Sequence, residues 1–251
     1  MKIQNFLGIQ VKLMSKKDIL EKISLFIGQP SGFFHIVSLN PENIVISTEN
    51  EQFRNVLSEG DIQLIDGVGV SLGMRFLSVV TVKRLAGADL MEELIKMYST
   101  RRLRVLFLGG KPDLANNLSN CYNQKYPYLR SKGVFGIQNI SNPSKLEERE
   151  LFSIVADYKP QIIFAAFGSP YQELWFYRHS NMLKGIVCMG VGGGFDYAYG
   201  SVQRAPKLMR AAGFEWLFRL IIQPWRFKRQ LRLLKFIYLV LKEKFSKNIG
   251  L

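Results

Sequence analysis

Gln161-Ile162-Ile163-Phe164-Ala165-Ala166-Phe167, followed by Gly168-Ser169-Pro170-Tyr171-Gln172-Glu173, is the stretch that decides the fold. Its first seven residues are an almost unbroken apolar run, without the alternation of a half-exposed strand. Such a run reads as a strand buried on both faces, as in a sheet covered by helices. A glycine turn and a helical stretch from Pro170 to Asn181 come next, and Gly185 to Met189 is a second buried strand. Two parallel strands need a crossover of about this length, usually a helix.

Working outward, the same alternation covers most of the chain. Strands are expected at Phe33 to Ser38, Ile62 to Ile65, Arg104 to Leu108 and Arg130 to Phe135. A helix from Pro41 to Glu59 has Asn40 as its N-cap and Pro41 at its first position. Further helices are expected at Asp89 to Tyr98, Pro112 to Lys125 and Pro143 to Tyr158, the last with Ser141 or Asn142 near its cap. The expected fold class is therefore α/β: a Rossmann-like, mostly parallel sheet flanked by helices. Ligands of such sheets bind beyond the carboxyl ends of the strands, so the turns after the strands are where chemistry belongs.

The charge is uneven. The 251 residues carry a net charge of +14. Residues 203–251 hold twelve Lys or Arg against two acids, Glu215 and Glu243, and so contribute ten of those fourteen charges. This predicts an α/β body over residues 1–202 and a basic, amphipathic helical C-terminal appendage over 203–251. Within the appendage Phe227, Leu231, Leu234, Tyr238, Leu241 and Phe245 recur every three or four residues, one apolar stripe on a helix flanked by Lys and Arg. Such a helix suits the interface of an anionic membrane; the competing expectation is that the stripe packs on the protein's own core or on another subunit. No run approaches the ~18 apolar residues of a spanning helix, and the start of the chain has no leader pattern. The expected location is cytoplasmic, peripheral on the inner face of the plasma membrane. Interleaved aromatics and positive charge also fit a nucleic-acid-binding module, the alternative from a different functional class. That reading has no need of Asp66 or Gln172.

Four turns carry candidate site residues. Ser38-Leu39-Asn40-Pro41 puts a hydroxyl and an amide at a strand end. Asp66-Gly67-Val68-Gly69 puts a carboxylate in a glycine turn that a ligand can approach closely; such a group can take a proton from a hydroxyl. Gly109-Gly110-Lys111 offers backbone N–H groups ahead of a helix, an arrangement suited to phosphate. Gly168-Ser169-Pro170-Tyr171-Gln172-Glu173 brings Gln172 and Glu173 into the first turn of a helix, where they either bind sugar hydroxyls or merely belong to the capping of that turn. Gly190-Val191-Gly192-Gly193-Gly194-Phe195-Asp196 lacks the G-x-G-x-x-G spacing of a dinucleotide loop, yet suggests close backbone approach to a ligand. Cys121 and Cys188 read as free thiols and make no zinc site with His35 and His179. There is no D-x-D, H-E-x-x-H or G-x-S-x-G, so neither a metal nor a cofactor is expected.

Together these turns resemble one family, the WecG/TagA/CpsF group, glycosyltransferase family 26, over about Phe34 to Gln230. The resemblance rests on the segments already quoted and on Arg84-Leu85-Ala86-Gly87-Ala88-Asp89-Leu90, Arg204-Ala205-Pro206, Glu215-Trp216-Leu217-Phe218-Arg219-Leu220 and Pro224-Trp225-Arg226-Phe227. It implies a metal-independent, inverting transfer from a UDP-sugar to undecaprenyl-diphosphate-linked N-acetylglucosamine. The donor is commonly UDP-N-acetylmannosamine or its uronate, and UDP-glucose is a further alternative. Asp66 matches the family's proposed base, Ser38, Asn40, Arg84 and Gln172 match residues near its active site, and the appendage is similar to one thought to seat the enzyme on the membrane and help close the site. On this basis residues 1–202 are expected to be the catalytic domain, with Glu173, Gly109, Gly110, Gly192 and Gly193 beside the donor. Arg219, Arg226 and Arg229 of the appendage are candidates for stabilising the leaving diphosphate. The resemblance also allows a homo-oligomer and gives no nucleic acid as partner. Ser38 stands where the family often has Thr, Tyr171 where it often has Lys, and Gln223 where it usually has Glu.

Overall fold

The computed structural model describes residues 2–80, 83–224 and 227–249. In chain order its elements are β1 (Lys2–Phe6), β2 (Ile9–Leu13), α1 (Lys16–Gly28), β3 (Phe34–Leu39), α2 (Pro41–Glu49), α3 (Glu51–Glu59), β4 (Ile62–Ile65), α4 (Val68–Phe76) and α5 (Gly87–Met97). They continue with β5 (Arg104–Gly109), α6 (Leu114–Lys125), β6 (Arg130–Val134), α7 (Lys145–Tyr158), β7 (Ile162–Ala166), α8 (Tyr171–Arg178) and β8 (Val187–Gly190). The last four are α9 (Gly194–Tyr199), α10 (Lys207–Ala211), α11 (Glu215–Ile222) and α12 (Phe227–Ile249). Six strands form one parallel sheet in the order β4-β3-β8-β7-β5-β6, and β1 and β2 form a separate antiparallel hairpin. The α/β, Rossmann-like architecture expected from the buried runs is the one found.

Contacts divide the chain into two compact units. One comprises Lys17–Val37 and Gly87–Val202. There β5, β7 and β8 run through a core in which Phe107, Phe164, Trp175, Phe176 and Val187 are all buried. The β7 register, Ile163 beside Leu106 on one side and Cys188 on the other, keeps its apolar run covered along its length. Helix α6 lies directly against β6 because residue 133 is glycine. A Cβ there would fall 2.1 Å from the Ala115 carbonyl oxygen.

The second unit comprises Met1–Lys16, Ser38–Ala86 and Gln203–Leu251. The hairpin turns at Leu7 and Gly8, both at positive φ, the geometry that matches the twist of paired strands. Phe6, Ile9 and Val11 of the hairpin are buried, as are Phe53, Val56, Ile62, Leu64, Val70 and Met74. Helix α12 joins this unit along α2 and α4. Among its described residues Phe236 and Val240 are buried, and both reach Gly73 of α4, where a Cβ would come within 3.1 Å of the Phe236 ring and 3.2 Å of Val240. Arg232 pairs with Glu42 and Lys235 with Glu49 along α2. The stripe Phe227, Leu231, Leu234, Tyr238, Leu241 and Phe245 is a different face, and every one of its residues is exposed.

Two local expectations need correction. The single helix from Pro41 to Glu59 is two helices, because Asn50 takes an extended conformation. Its N–H donates to the Ile46 carbonyl to end α2, and its side-chain oxygen accepts from the Phe53 N–H to start α3. Helix α7 is capped not by Ser141 or Asn142 but by Ser144, in a full capping box with Glu147, which satisfies two otherwise unpaired donors. Cys121 is exposed whereas Cys188 is buried, and burial pushes the Cys188 thiol well up; both are free.

Candidate active site

In the unit that carries residues 38–86, the end of β4 builds the first cluster. The Asp66 N–H donates to the Leu39 carbonyl at 2.9 Å, which brings the turn after β4 to the end of β3. Gly67 follows at φ 107°, a conformation that side chains resist, and α4 starts at once. The Leu85 N–H donates to the Ile65 carbonyl at 3.1 Å and holds the next segment against the same strand end. Arg84 therefore lies beside Asp66, with Nη2 3.9 Å from the Asp66 Oδ1. The sequence separates these two residues, and the strand-end hydrogen bonds reunite them.

Arg84 has closer partners. Its Nη2 is 2.8 Å from Glu215 Oε2, and its Nη1 donates to the Arg210 carbonyl at 3.2 Å. The other carboxylate oxygen of Glu215 is 3.4 Å from Arg204 Nε. Arg210 in turn donates from Nε to the Ala205 carbonyl at 3.1 Å. The turn between α10 and α11 presses onto Val68, two residues past Asp66. It does so through Gly213, at φ 84°, where a Cβ would lie 2.9 Å from that of Val68. Glu215 and Arg204 join this cluster, whereas the sequence named them only within segments of the family resemblance and not as site candidates. The available signal was that Glu215 is one of only two acids in the basic appendage.

Ser38 is buried, and its carbonyl accepts from the Asn43 side chain at 2.8 Å. The Asn40 side-chain oxygen accepts from the Asn43 N–H at 2.8 Å, so this atom caps α2. Arg219 lies on α11, one turn after Glu215. Trp225 and Arg226 fall outside the described residues, and so does the side chain of Arg229, whose backbone belongs to α12.

The second cluster lies at the carboxyl ends of β5, β7 and β8, within the other unit. Gly109 and Gly110 end β5 at φ 84° and 90°. Beside them Lys111 Nζ is 3.5 Å from Asp196 Oδ1, the acid at the start of α9. After β8, Gly192 has φ 48° and Gly193 precedes α9. The Val191 and Gly192 N–H groups both donate to the Ala165 carbonyl, which folds this glycine loop back on β7.

Gln172 and Glu173 are almost fully buried. Gln172 Oε1 accepts from the Gly168 N–H at 3.0 Å, and its Nε2 donates to Glu173 Oε1 at 2.8 Å. Ser169 Oγ donates to the same Glu173 oxygen at 2.9 Å. This buried network braces the loop over 168–170, and Gly190 makes room for it: a Cβ there would lie 2.2 Å from Gln172 Nε2.

An α/β fold with glycine turns and polar groups at its strand ends, including a carboxylate beside an arginine, suits a group-transfer enzyme. The chain belongs to the glycosyl transferase WecG/TagA/CpsF family, whose sequence profile matches residues 4–250. It is a glycosyltransferase. It is 31% identical over 247 residues to the N-acetylglucosaminyldiphosphoundecaprenol N-acetyl-beta-D-mannosaminyltransferase of Bacillus subtilis strain 168, which covers 98% of this chain and 93% of that protein. The enzyme of the same name from Staphylococcus aureus strain MRSA252 is 27% identical over 241 residues, 96% of this chain and 92% of that protein.

Proposed function

We propose that this enzyme transfers N-acetylmannosamine from UDP-N-acetylmannosamine to undecaprenyl-diphosphate-linked N-acetylglucosamine, by direct displacement that inverts the anomeric centre and without a metal. The observation that carries the reading is similarity to enzymes of that name along almost the whole chain. Asp66, at a strand end and next to Arg84, supports it. In this reading Asp66 accepts the proton from the acceptor hydroxyl as UDP departs. The leaving diphosphate gains charge, which Arg219, Arg226 and Arg229 offset in this reading. In the same reading Ser38 and Asn40 bind substrate, and Gln172 and Glu173 serve substrate binding through the loop they brace.

The exposed stripe of α12 and the basic residues beside it fit a second part of the proposal, attachment to the anionic face of the membrane that holds the acceptor. Among the described residues no helix is long and apolar enough to cross a membrane.

The test is a panel of UDP-sugars with a synthetic polyprenyl-diphosphate N-acetylglucosamine acceptor, with and without EDTA. UDP-N-acetylmannosamine is expected to be used fastest and EDTA to leave the rate unchanged. A preference for UDP-glucose or the uronate corrects the donor, and no transfer from any donor rejects the reading. Asp66→Asn is expected to lower kcat by a factor of roughly 10²–10⁴ with an unchanged melting temperature; near-normal turnover would remove Asp66 as the base.

A further inference from the structure

We propose that Glu215 is a positioning residue for the transfer: its carboxylate, shared between Arg84 and Arg204, draws Arg84 away from Asp66 and so keeps Asp66 basic enough to accept a proton. The proposal rests on the reading of Asp66 as the base. The geometry shows an unequal competition. Arg84 Nη2 stands 2.8 Å from Glu215 Oε2 but 3.9 Å from Asp66 Oδ1. A full ion pair between Asp66 and Arg84 would stabilise the charged carboxylate and weaken it as a base. Glu215 takes the close contact instead and leaves Asp66 the long one.

Three further contacts fix this arrangement. Arg204 Nε holds the second oxygen of Glu215 at 3.4 Å. The Arg210 carbonyl anchors the other end of the Arg84 guanidinium at 3.2 Å. The turn at Gly213 packs on Val68, so the segment that supplies Glu215 is seated against the loop that carries Asp66. Among the described residues the charged groups in contact with Glu215 are Arg84, from the segment before α5, and Arg204, from the segment before α10. Asp66 lies beyond Arg84. All these side chains are mostly shielded, with Arg84, Arg204 and Glu215 between 19% and 23% exposed, so the charges act on one another with less screening than at an open surface.

The proposal is tested on the full chain by comparing Glu215→Gln, Glu215→Asp and Arg84→Gln with the parent. Glu215→Gln keeps the size of the side chain but not its charge, so Arg84 moves onto Asp66. The acidic limb of the kcat profile is then expected to move down by about one pH unit, and the plateau kcat to fall roughly tenfold. Glu215→Asp, which retains the charge with a shorter reach, is expected to recover part of both effects. The Asp66 carboxyl titration, followed by carbon NMR with Asp66→Asn for assignment, is expected to shift in the same direction, a readout that needs no turnover. In an Arg84→Gln background Glu215→Gln is expected to change neither the titration nor the limb. A Glu215→Gln enzyme whose Asp66 titration is unchanged overturns the proposal, and so does a shift that persists without Arg84. If the parent transfers no sugar, the function proposed above fails, while the NMR comparison still decides the role of Glu215.

Discussion

His35 sits on β3 between the rings of Phe33 and Phe176, at 5.4 and 5.7 Å between centroids, and burial lowers its pKa from 6.5 to about 3. In that window an unfolded chain binds a proton at His35 that the folded chain refuses. The contribution of His35 to stability is therefore complete above the ordinary histidine value and is lost as the pH falls, by about 1.4 kcal/mol per pH unit until about pH 3. Urea unfolding at pH 7 and pH 5 checks this. The parent is expected to lose about 2 kcal/mol more than His35→Leu over that interval, and parallel losses would show that His35 is not the group responsible. At this scale legibility depended on sequence separation. Asp66 drew attention as a carboxylate in a glycine turn after a strand, and the family resemblance, not the turn itself, suggested its role as base. Its pairing with Glu215 through Arg84 was not legible, since 131 residues separate Arg84 from Glu215. Gln172 was singled out as a substrate-binding candidate, and its buried amide bonds to Gly168 and Glu173, a fact that only side-chain geometry reveals.

Strands were easier to read than the joints between helices. Buried parallel strands have a composition of their own, so β3, β4, β5, β7 and β8 were placed within a residue or two. Helix α4 was missed because Gly69 and Gly73, poor helix formers, lie inside it. Phe236 and Val240 supply the reason for Gly73, since they occupy the space that a side chain there would fill. The break at Asn50 was missed for the opposite reason: the flanking sequence is good helix on both sides, and one capping side chain decides the matter. Gly133 offers a sharp test of how closely two elements approach. Its φ is ordinary, so only the contact with α6 opposes a side chain. Gly133→Ala is expected to destabilise the protein by about 3 kcal/mol, measured by urea unfolding, because the obstructing atoms belong to the backbone at Ala115 and Asn116. A loss under 1 kcal/mol would mean that α6 slides away from β6 at little cost.

For the molecule as a whole, α12 presents two different surfaces. One surface of α12 is interior: Phe236 and Val240 are 3% and 6% exposed and pack with residues 38–86. The other is the exposed stripe, whose period was legible but whose orientation was not, because periodicity says that a face is apolar without saying what covers it. If the stripe meets lipid, the two surfaces separate by mutation. Phe236→Ala empties a packed site and is expected to cost about 3 kcal/mol of stability, while the triple change Leu234→Ser, Tyr238→Ser and Leu241→Ser touches only exposed positions and is expected to leave the melting temperature within a degree or two. Co-sedimentation with vesicles of anionic and zwitterionic lipid should then show the reverse order. The triple variant is expected to lose at least tenfold in binding to anionic vesicles, since each buried CH₂ is worth about 0.8 kcal/mol. Binding by the parent should weaken as salt screens its basic residues, each worth about 1 kcal/mol near such a surface. A parent that ignores anionic vesicles, or a triple variant that binds them as well as the parent, would leave this face for another protein surface.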